Sequence, residues 1–241
     1  MFPVDSANPQ NPFNIRQNYG PADYDVRHGL NANYVWEIPV RKALRGHGWA
    51  PLVDGWQVSG ALFFRTGLPF SVSDGAESSN LIGGNNYGST DFILPDILNA
   101  SVNHRCNSEK FAGPNYVPCF GGTPATAGGF FGNGGGGAGS ETNFGVQGLR
   151  NAFRGPSYFD TDFSFVKRTK IPSWERGELS VGLQFFNLLN HPNFTFPIND
   201  ISSGSFGQIQ QMVNPPTSIL GSFLGGDASP RLIQVKAQLT F

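Results

Sequence analysis

The side chains best able to bind a metal or form a covalent link are two cysteines in one long connection. Cys106 and Cys119 are separated by twelve residues, and His104 lies close to the first of them. The cysteines can form a disulfide with each other, or they can bind a metal together with His104. Three candidate ligands without a fourth make an incomplete structural zinc site, so the metal is the weaker of the two readings.

The remaining polar residues offer little for catalysis. His28, His47 and His191 are scattered, and none of the motifs HExxH, GxSxG or GxxxxGK[ST] occurs in the sequence. Asp160 and Asp162 lie two positions apart, which places both carboxylates on one face of a strand, as an acid/base pair would require. Because no positioned partner is visible, we expect instead that they give a strand its polar face and are balanced by nearby lysine and arginine. The sequence therefore predicts no enzyme, no cofactor and no metal centre, and His191 beside Pro192 is interpreted as a residue at a strand end.

The composition indicates a β-rich protein of low charge. Charged residues make up 14% of the 241 residues and the formal net charge is -1, which gives no electrostatic reason to expect a nucleic-acid partner. The chain has 32 glycines and 22 phenylalanines, and aromatic residues favour strands. No run of eighteen apolar residues is present, so a transmembrane helix is excluded, whereas a barrel of alternating strands is not.

Five segments alternate apolar and polar residues with the period of a strand. They are Leu30 to Ile38, Gly55 to Thr66, Tyr158 to about Arg168, Glu178 to about Asn187, and Arg231 to Phe241. Their length matches the roughly 9–11 residues with which a tilted strand crosses a bilayer, whereas strands of globular proteins have about 5–6. The short run FFNLLN is read as the end of the fourth strand.

The connections between these segments alternate between short and long. Residues 39–54 and 169–177 form short turns, while residues 67–157 and 192–230 form long, glycine-rich connections. Membrane barrels alternate short periplasmic turns with long extracellular loops. This orientation would place Trp36, Trp56, Trp174 and Phe241 near one interface, as a periplasmic aromatic girdle. A soluble β-sandwich has the same period and stays an alternative, although polar faces of Asn, Gln, Ser and Thr favour the barrel.

Several of these segments resemble the last strands of TonB-dependent outer-membrane receptors, in particular those with a carboxypeptidase regulatory-like N-terminal domain. The resemblance covers almost the whole chain in order. The segments that carry it are DVRHGLNANYVWEIP, GWQVSGALFFRTGLPFSV, FDTDFSFVKRTKI, LQFFNLLNHPNF, FGQI and SPRLIQVKAQLTF.

The resemblance implies an all-β fold: an antiparallel meander of about five to six long strands, forming a segment of a 22-stranded transmembrane β-barrel with long extracellular loops. Residues 1–25 would be an extracellular loop or the end of a preceding strand, and residues 26–241 the C-terminal strands, with long loops at 73–157 and 195–229. We expect all apolar faces on one convex side and both long loops at one end of the sheet. The oxidising compartment favours the Cys106–Cys119 disulfide, which would stabilise its loop by roughly 3 kcal/mol.

The resemblance also implies partners and a location. We expect the protein to lie in the cell outer membrane of a Gram-negative bacterium, with a lipid bilayer around its strands. Its other partners would be the remaining strands and the plug of the full-length receptor. TonB would be contacted only through the N-terminal part of the receptor, which this chain lacks. The chain lacks a plug, a signal peptide and about seventeen further strands, so we expect Met1 to mark a truncated or misassigned start. The final strand carries the signal expected for the barrel-assembly machinery, in Ile233, Val235, Ala237, Leu239 and Phe241.

Two functions follow from this reading. The first is a fragment of a TonB-dependent transporter for a scarce nutrient, such as a metal chelate or an oligosaccharide, that cannot transport alone. The second is a non-transporting surface or adhesive β protein that binds partners through its glycine-rich loops. DNA upstream of Met1 that encodes a plug and more strands would favour the first.

Overall fold

The computed structural model describes residues 14–39, 54–73, 94–97, 117–120, 131–132, 150–171, 174, 177–201, 203–213 and 231–241. Within them lie a short 3₁₀ helix at Ile15–Asn18 and eleven strands. The strands are β1 (Gly29–Glu37), β2 (Trp56–Arg65), β3 (Pro69–Phe70), β4 (Asp96–Ile97), β5 (Val117–Pro118), β6 (Phe131–Gly132), β7 (Phe153–Arg154), β8 (Tyr158–Lys170), β9 (Glu178–Phe186), β10 (Gln208–Ile209) and β11 (Leu232–Thr240). No helix in these ranges has the length and apolar character needed to cross a membrane.

The five long strands form one sheet in the order β1-β2-β8-β9-β11. The pairs β1–β2, β8–β9 and β9–β11 are antiparallel. For β2 and β8, Gly55 lies against Arg168 and Gly60 against Asp162, so β8 runs back along β2. The prediction of an all-β antiparallel meander in chain order is therefore confirmed. Each predicted strand is found within one or two residues of its expected limits.

The strand ends follow from the same antiparallel order. The end of β2 and the start of β8 lie at one end of the sheet, and the end of β9 and the start of β11 lie at that same end. Both long connections therefore leave the sheet at one end, as expected. The assignment of residues 1–25 to a loop or a preceding strand stays a prediction. Most of 73–157 and about half of 195–229 lie outside the described residues.

Glycines allow close packing within the sheet, and Gly60 is one example. Gly60 on β2 is the register partner of Tyr34 on β1, and a Cβ at residue 60 would overlap the Tyr34 ring as well as the Asp162 carbonyl. The absent side chain lets an aromatic ring cover the backbone, which limits the cost of a glycine within a strand.

The end of β9 differs from the prediction. The run FFNLLN was expected to stay extended, but β9 ends at Phe186. Asn187 and Asn190 have positive φ angles of 47° and 53°, in the left-handed region that asparagine tolerates better than most residues. The Asn187 side chain accepts a hydrogen bond from the His191 backbone amide at 2.8 Å and donates one to the His191 carbonyl at 2.9 Å. These bonds stabilise a tight turn in place of the last strand residues.

The chain forms two compact units that do not follow chain order. The sheet unit comprises residues 29–65, 159–192 and 229–241, and the connection unit comprises residues 1–28, 66–158 and 193–228. The connection unit has its own buried core, made of Phe70, Val72, Cys119, Phe120, Phe131, Phe153, Phe194, Ile201, Phe206 and Ile209. The Phe120 ring stacks on Phe206 at 5.0 Å and meets Phe153 edge to face at 5.3 Å. Burying each such ring contributes about 1.5–3 kcal/mol, so the long connections contain a packed structure of their own.

Polar contacts tie distant segments of the connection unit together. Arg154, which is largely buried, forms an ion pair with the Asp25 carboxylate and also donates a hydrogen bond to the Asp25 carbonyl at 2.6 Å. The backbone amide of Asn151 donates to the Ser71 hydroxyl at 2.8 Å, and its side chain donates to the Pro21 carbonyl at 2.8 Å. The segments around residues 21–25, 71 and 151–154 are thereby fixed to one another.

Candidate functional site

The strand register gathers the apolar residues of the sheet on one face. Trp36 pairs with Val58 on β2, and Phe163 pairs with Phe185 on β9. Phe185 in turn pairs with Ile233 on β11. Across the β2–β8 boundary, the rings of Trp56 and Phe165 stack with centroids 4.4 Å apart and an interplanar angle of 11°. The apolar sets of all five strands therefore share one face, and Trp36 and Phe163 lie on the same side, as predicted.

On β9, the pattern of solvent exposure is opposite to that of a strand in a water-soluble protein. On β9, Leu179, Val181 and Leu183 are 41%, 44% and 39% exposed, whereas the intervening Ser180 and Gln184 are less exposed and Gly182 is buried. Val235 on β11 is 72% exposed. A β-sandwich would bury this face against a second sheet. An exposed contiguous apolar face marks a surface that contacts something other than water.

Aromatic residues lie at the short-turn end of the apolar face. Trp36 and Trp56 lie near the end of β1 and the start of β2, respectively. Trp174 lies in the connection between β8 and β9, and its ring stacks on that of Phe241 at 5.9 Å with an interplanar angle of 16°. A Cβ at Gly177 would overlap the Trp174 ring. The structure thus brings the predicted girdle residues to one end of the sheet, while their position at a membrane interface stays a prediction.

One basic residue on the apolar face was not predicted. Lys167 pairs with Val181, and its ammonium lies over the Trp56 ring, 5.5 Å from the centroid. A cation over an indole face is attracted by the ring quadrupole, which offsets part of the cost of placing a charge on this side. The alternation of β8 could have predicted that Lys167 lies on the apolar face, because residues 163, 165 and 167 are two positions apart and point to the same side.

The terminal strand presents the predicted assembly signal on this same face. Ile233, Val235, Ala237 and Leu239 pair with Phe185, Leu183, Val181 and Leu179 of β9. Phe241 follows the last strand residue and is 83% exposed. Whether the assembly machinery reads these residues stays a prediction.

The opposite face of the sheet is polar. At the short-turn end it borders a cleft of about 390 Å³ whose lining includes Glu37, Asp54, Gln57, Arg168 and Glu178. Three carboxylates and one guanidinium line the cleft, so its charge favours a cation over an anion.

The other end of the polar face carries Asp160 and Asp162 at the start of β8. An oxygen of Asp162 accepts a hydrogen bond from the Asn187 backbone amide at 3.1 Å. Asp160 is buried, and its Oδ1 has no hydrogen-bond partner. Among the described residues, neither carboxylate forms an ion pair with lysine or arginine. The expectation that nearby lysine and arginine balance these acids stays a prediction.

The predicted covalent and metal-binding residues are only partly described. Cys119 is buried in the core of the connection unit and is disulfide-bonded. Cys106, His47 and His104 lie outside the described residues. The His191 ring contacts Phe159 edge to face at 5.7 Å. The described part of the chain contains no group of three or more His, Cys, Asp or Glu side chains that could hold a metal ion.

Comparison with known proteins decides what the exposed apolar face means. A family model described as "Outer membrane beta barrel domain" matches residues 2–234. The chain belongs to this outer-membrane β-barrel family. Nothing among curated proteins or solved structures matches it significantly.

Membership of the outer-membrane β-barrel family explains both faces of the sheet. Such barrels carry an apolar band on the outside and polar residues inside. The exposed face of the sheet is apolar, like the outside of such a barrel, and the opposite face is polar, like the inside. The protein is therefore located in the bacterial outer membrane, and its long strands are barrel strands.

Proposed function

We propose that this chain supplies part of the wall of a TonB-dependent outer-membrane transporter for a scarce nutrient, such as a metal chelate or an oligosaccharide. The observation that carries the proposal is a five-stranded sheet with an exposed apolar face and, among the described residues, no strand beyond either edge. The apolar face contacts the lipid bilayer, and the polar face lines the barrel interior. The chain has no catalytic role in this proposal and binds no cofactor or nucleic acid.

The two edges of the sheet support a larger barrel. Within the described residues, β1 and β11 each have a strand neighbour on one side only. An open edge in hydrocarbon costs several kcal/mol for each unpaired backbone group, and the smallest barrels have eight strands. The sheet therefore needs further strands.

The direction of the edge strands limits which strands these are. Because the meander has an odd number of strands, β1 and β11 run in the same direction. Copies of the chain arranged head to tail would place β11 parallel to β1, and bacterial barrels are antiparallel throughout. An odd number of other strands closes the barrel with every neighbouring pair antiparallel. A 22-stranded transporter barrel supplies an odd number of other strands.

The remaining partners follow from this arrangement. The other strands and the plug belong to the full receptor, and TonB acts through the plug-bearing N-terminal part. The alternating apolar residues of β11, ending at Phe241, are recognised by the barrel-assembly machinery.

The proposal is tested first by the DNA upstream of Met1 and then by uptake. An open reading frame that continues upstream into a plug and more alternating strands is expected. Cells with the intact locus should accumulate the labelled nutrient. Disruption of codons 29–241 or loss of TonB should each abolish accumulation against a concentration gradient.

Two results would contradict the transporter. One is an upstream region that encodes a signal peptide and no plug. The other is nutrient accumulation that is unchanged without TonB while attachment of the cells to surfaces falls, which would identify the protein as an adhesive barrel.

A further inference from the structure

The start of β8 contains a buried carboxylate, Asp160, with one oxygen that has no hydrogen-bond partner among the described residues. Asp160 is 6% exposed, and its Oδ1 lacks a hydrogen-bond partner. A buried carboxylate without a partner is strongly disfavoured, so such groups are normally paired, hydrogen-bonded or bound to a metal ion. This oxygen is therefore open to a ligand that the described residues do not supply.

A second carboxylate lies beside the first. Asp162 is two residues further along β8, which places it on the same polar face at roughly 7 Å between equivalent atoms. The two acids repel each other electrostatically. Asp162 accepts one hydrogen bond, from the Asn187 amide, which leaves its carboxylate with further acceptor capacity.

The burial of Asp160 limits the size of the missing partner. With 6% of its surface accessible, Asp160 cannot receive the side chain of another domain or a large organic ligand. A single ion fits this restriction, and two neighbouring carboxylates attract a cation. Hard divalent cations prefer carboxylate oxygens and complete their coordination with backbone carbonyls and water.

We propose that Asp160 and Asp162 bind one hard divalent cation, such as Ca²⁺, on the polar face of the sheet where the long connections begin. The described residues offer no third acidic, cysteine or histidine ligand that converges on the pair, so backbone carbonyls and water complete the coordination. The bound ion neutralises the two acids and stabilises the junction of β8 with the turn at Asn187. This inference does not depend on which nutrient, if any, the protein transports.

Terbium luminescence provides a direct test, since Tb³⁺ replaces Ca²⁺ and emits when a nearby aromatic ring is excited. Tyr158 is buried on the same face, two residues before Asp160. The protein is purified from outer membranes in detergent, treated with EDTA and titrated with Tb³⁺, and Ca²⁺ is then added as competitor. Sensitised emission that saturates and is displaced by Ca²⁺ is expected.

Matched variants locate the site. Asp160→Asn and Asp162→Asn keep the side-chain shape and should each weaken Tb³⁺ affinity at least tenfold. Glu178→Gln is the control, because it removes a carboxylate from the same polar face but at the other end of the sheet. This variant should leave the Tb³⁺ affinity unchanged. Heat-modifiable mobility in gels checks that every variant is folded.

Three results would overturn the proposal. They are the absence of Ca²⁺-displaceable emission, equal affinities of wild type and Asp160→Asn, and an equal loss in Glu178→Gln. A thermal unfolding temperature that is insensitive to Ca²⁺ in wild type but higher in Asp160→Asn would also contradict it, because the carboxyl would then be a neutral buried acid.

Discussion

Leu183 and Gln184 are neighbours on β9 that belong to opposite faces of the sheet, so they form a matched pair for locating the lipid. Both lie in the middle part of the strand, at nearly the same depth. Leu183 pairs with Phe165 and Val235, whereas Gln184 pairs with Ser164 and Gln234. An arginine at residue 183 would have apolar neighbours on both sides, while an arginine at residue 184 would have polar ones.

The expected difference in stability is large. A lipid-facing arginine near the bilayer midplane destabilises a barrel by about 2–4 kcal/mol, which corresponds to roughly one and a half to three decades in the folding equilibrium constant. Substitutions at polar, accessible positions usually change stability by about 0.5 kcal/mol or less. We therefore expect Leu183→Arg to lower the free energy of unfolding by at least about 2 kcal/mol and Gln184→Arg to change it little.

Urea unfolding in phospholipid vesicles measures both values, with tryptophan fluorescence as the readout. The slope of the transition should be the same in both variants, so that the midpoints compare stability. The reasoning is refuted if the two variants lose the same stability. It is also refuted if Leu183→Arg is neutral, because an arginine at a water-exposed position of a soluble sheet would be tolerated.

Three further predictions concern the chain end, the buried core and the cysteines. Deletion of Phe241 in the full receptor should reduce the amount of heat-modifiable protein in the membrane, whereas Phe241→Tyr should assemble normally; unchanged assembly of the deletion would leave β11 as an ordinary edge strand. Phe206→Ala should destabilise the connection unit by about 3–5 kcal/mol, since the ring is buried and stacks on Phe120. Limited proteolysis of that unit measures the loss of stability. A loss below about 1 kcal/mol would mean that the cluster of rings contributes little to stability. Non-reducing peptide mapping should recover Cys106 linked to Cys119, and a peptide with either cysteine alkylated before reduction would contradict the predicted pairing.

The strands of the sheet could be predicted because their alternation reflects two different environments on the two faces. In β9 every second residue from Leu179 to Phe185 is apolar, and a shift of one residue would place this entire set on the wrong face. The period therefore determined both the strand limits and the common apolar face. The turn after β9 also had a signal, since Asn187 and Asn190 frame it, but the apolar residues between them suggested continued strand.

The connection unit could not be predicted because its order depends on contacts between distant segments. Phe70, Phe120 and Phe206 meet in one core although more than a hundred residues separate the first from the last. The strands around them have two residues each, too few to show a period. The pairing of Arg154 with Asp25 similarly joins segments with no local pattern in common. The unsatisfied oxygen of Asp160 depends on its actual neighbours, whereas the sequence shows only that two acids share a face.

The central claim, that the apolar face of the sheet contacts lipid, is tested most directly by a spin-label scan of β9. Single cysteines at residues 179 to 185, in a background without native cysteines, are labelled after assembly into vesicles. Collision with oxygen reports lipid, and collision with a water-soluble nickel complex reports water. The account predicts oxygen maxima at residues 179, 181, 183 and 185, with the nickel maxima at the residues between them. Nickel maxima at the apolar positions, or no alternation along the strand, would contradict it.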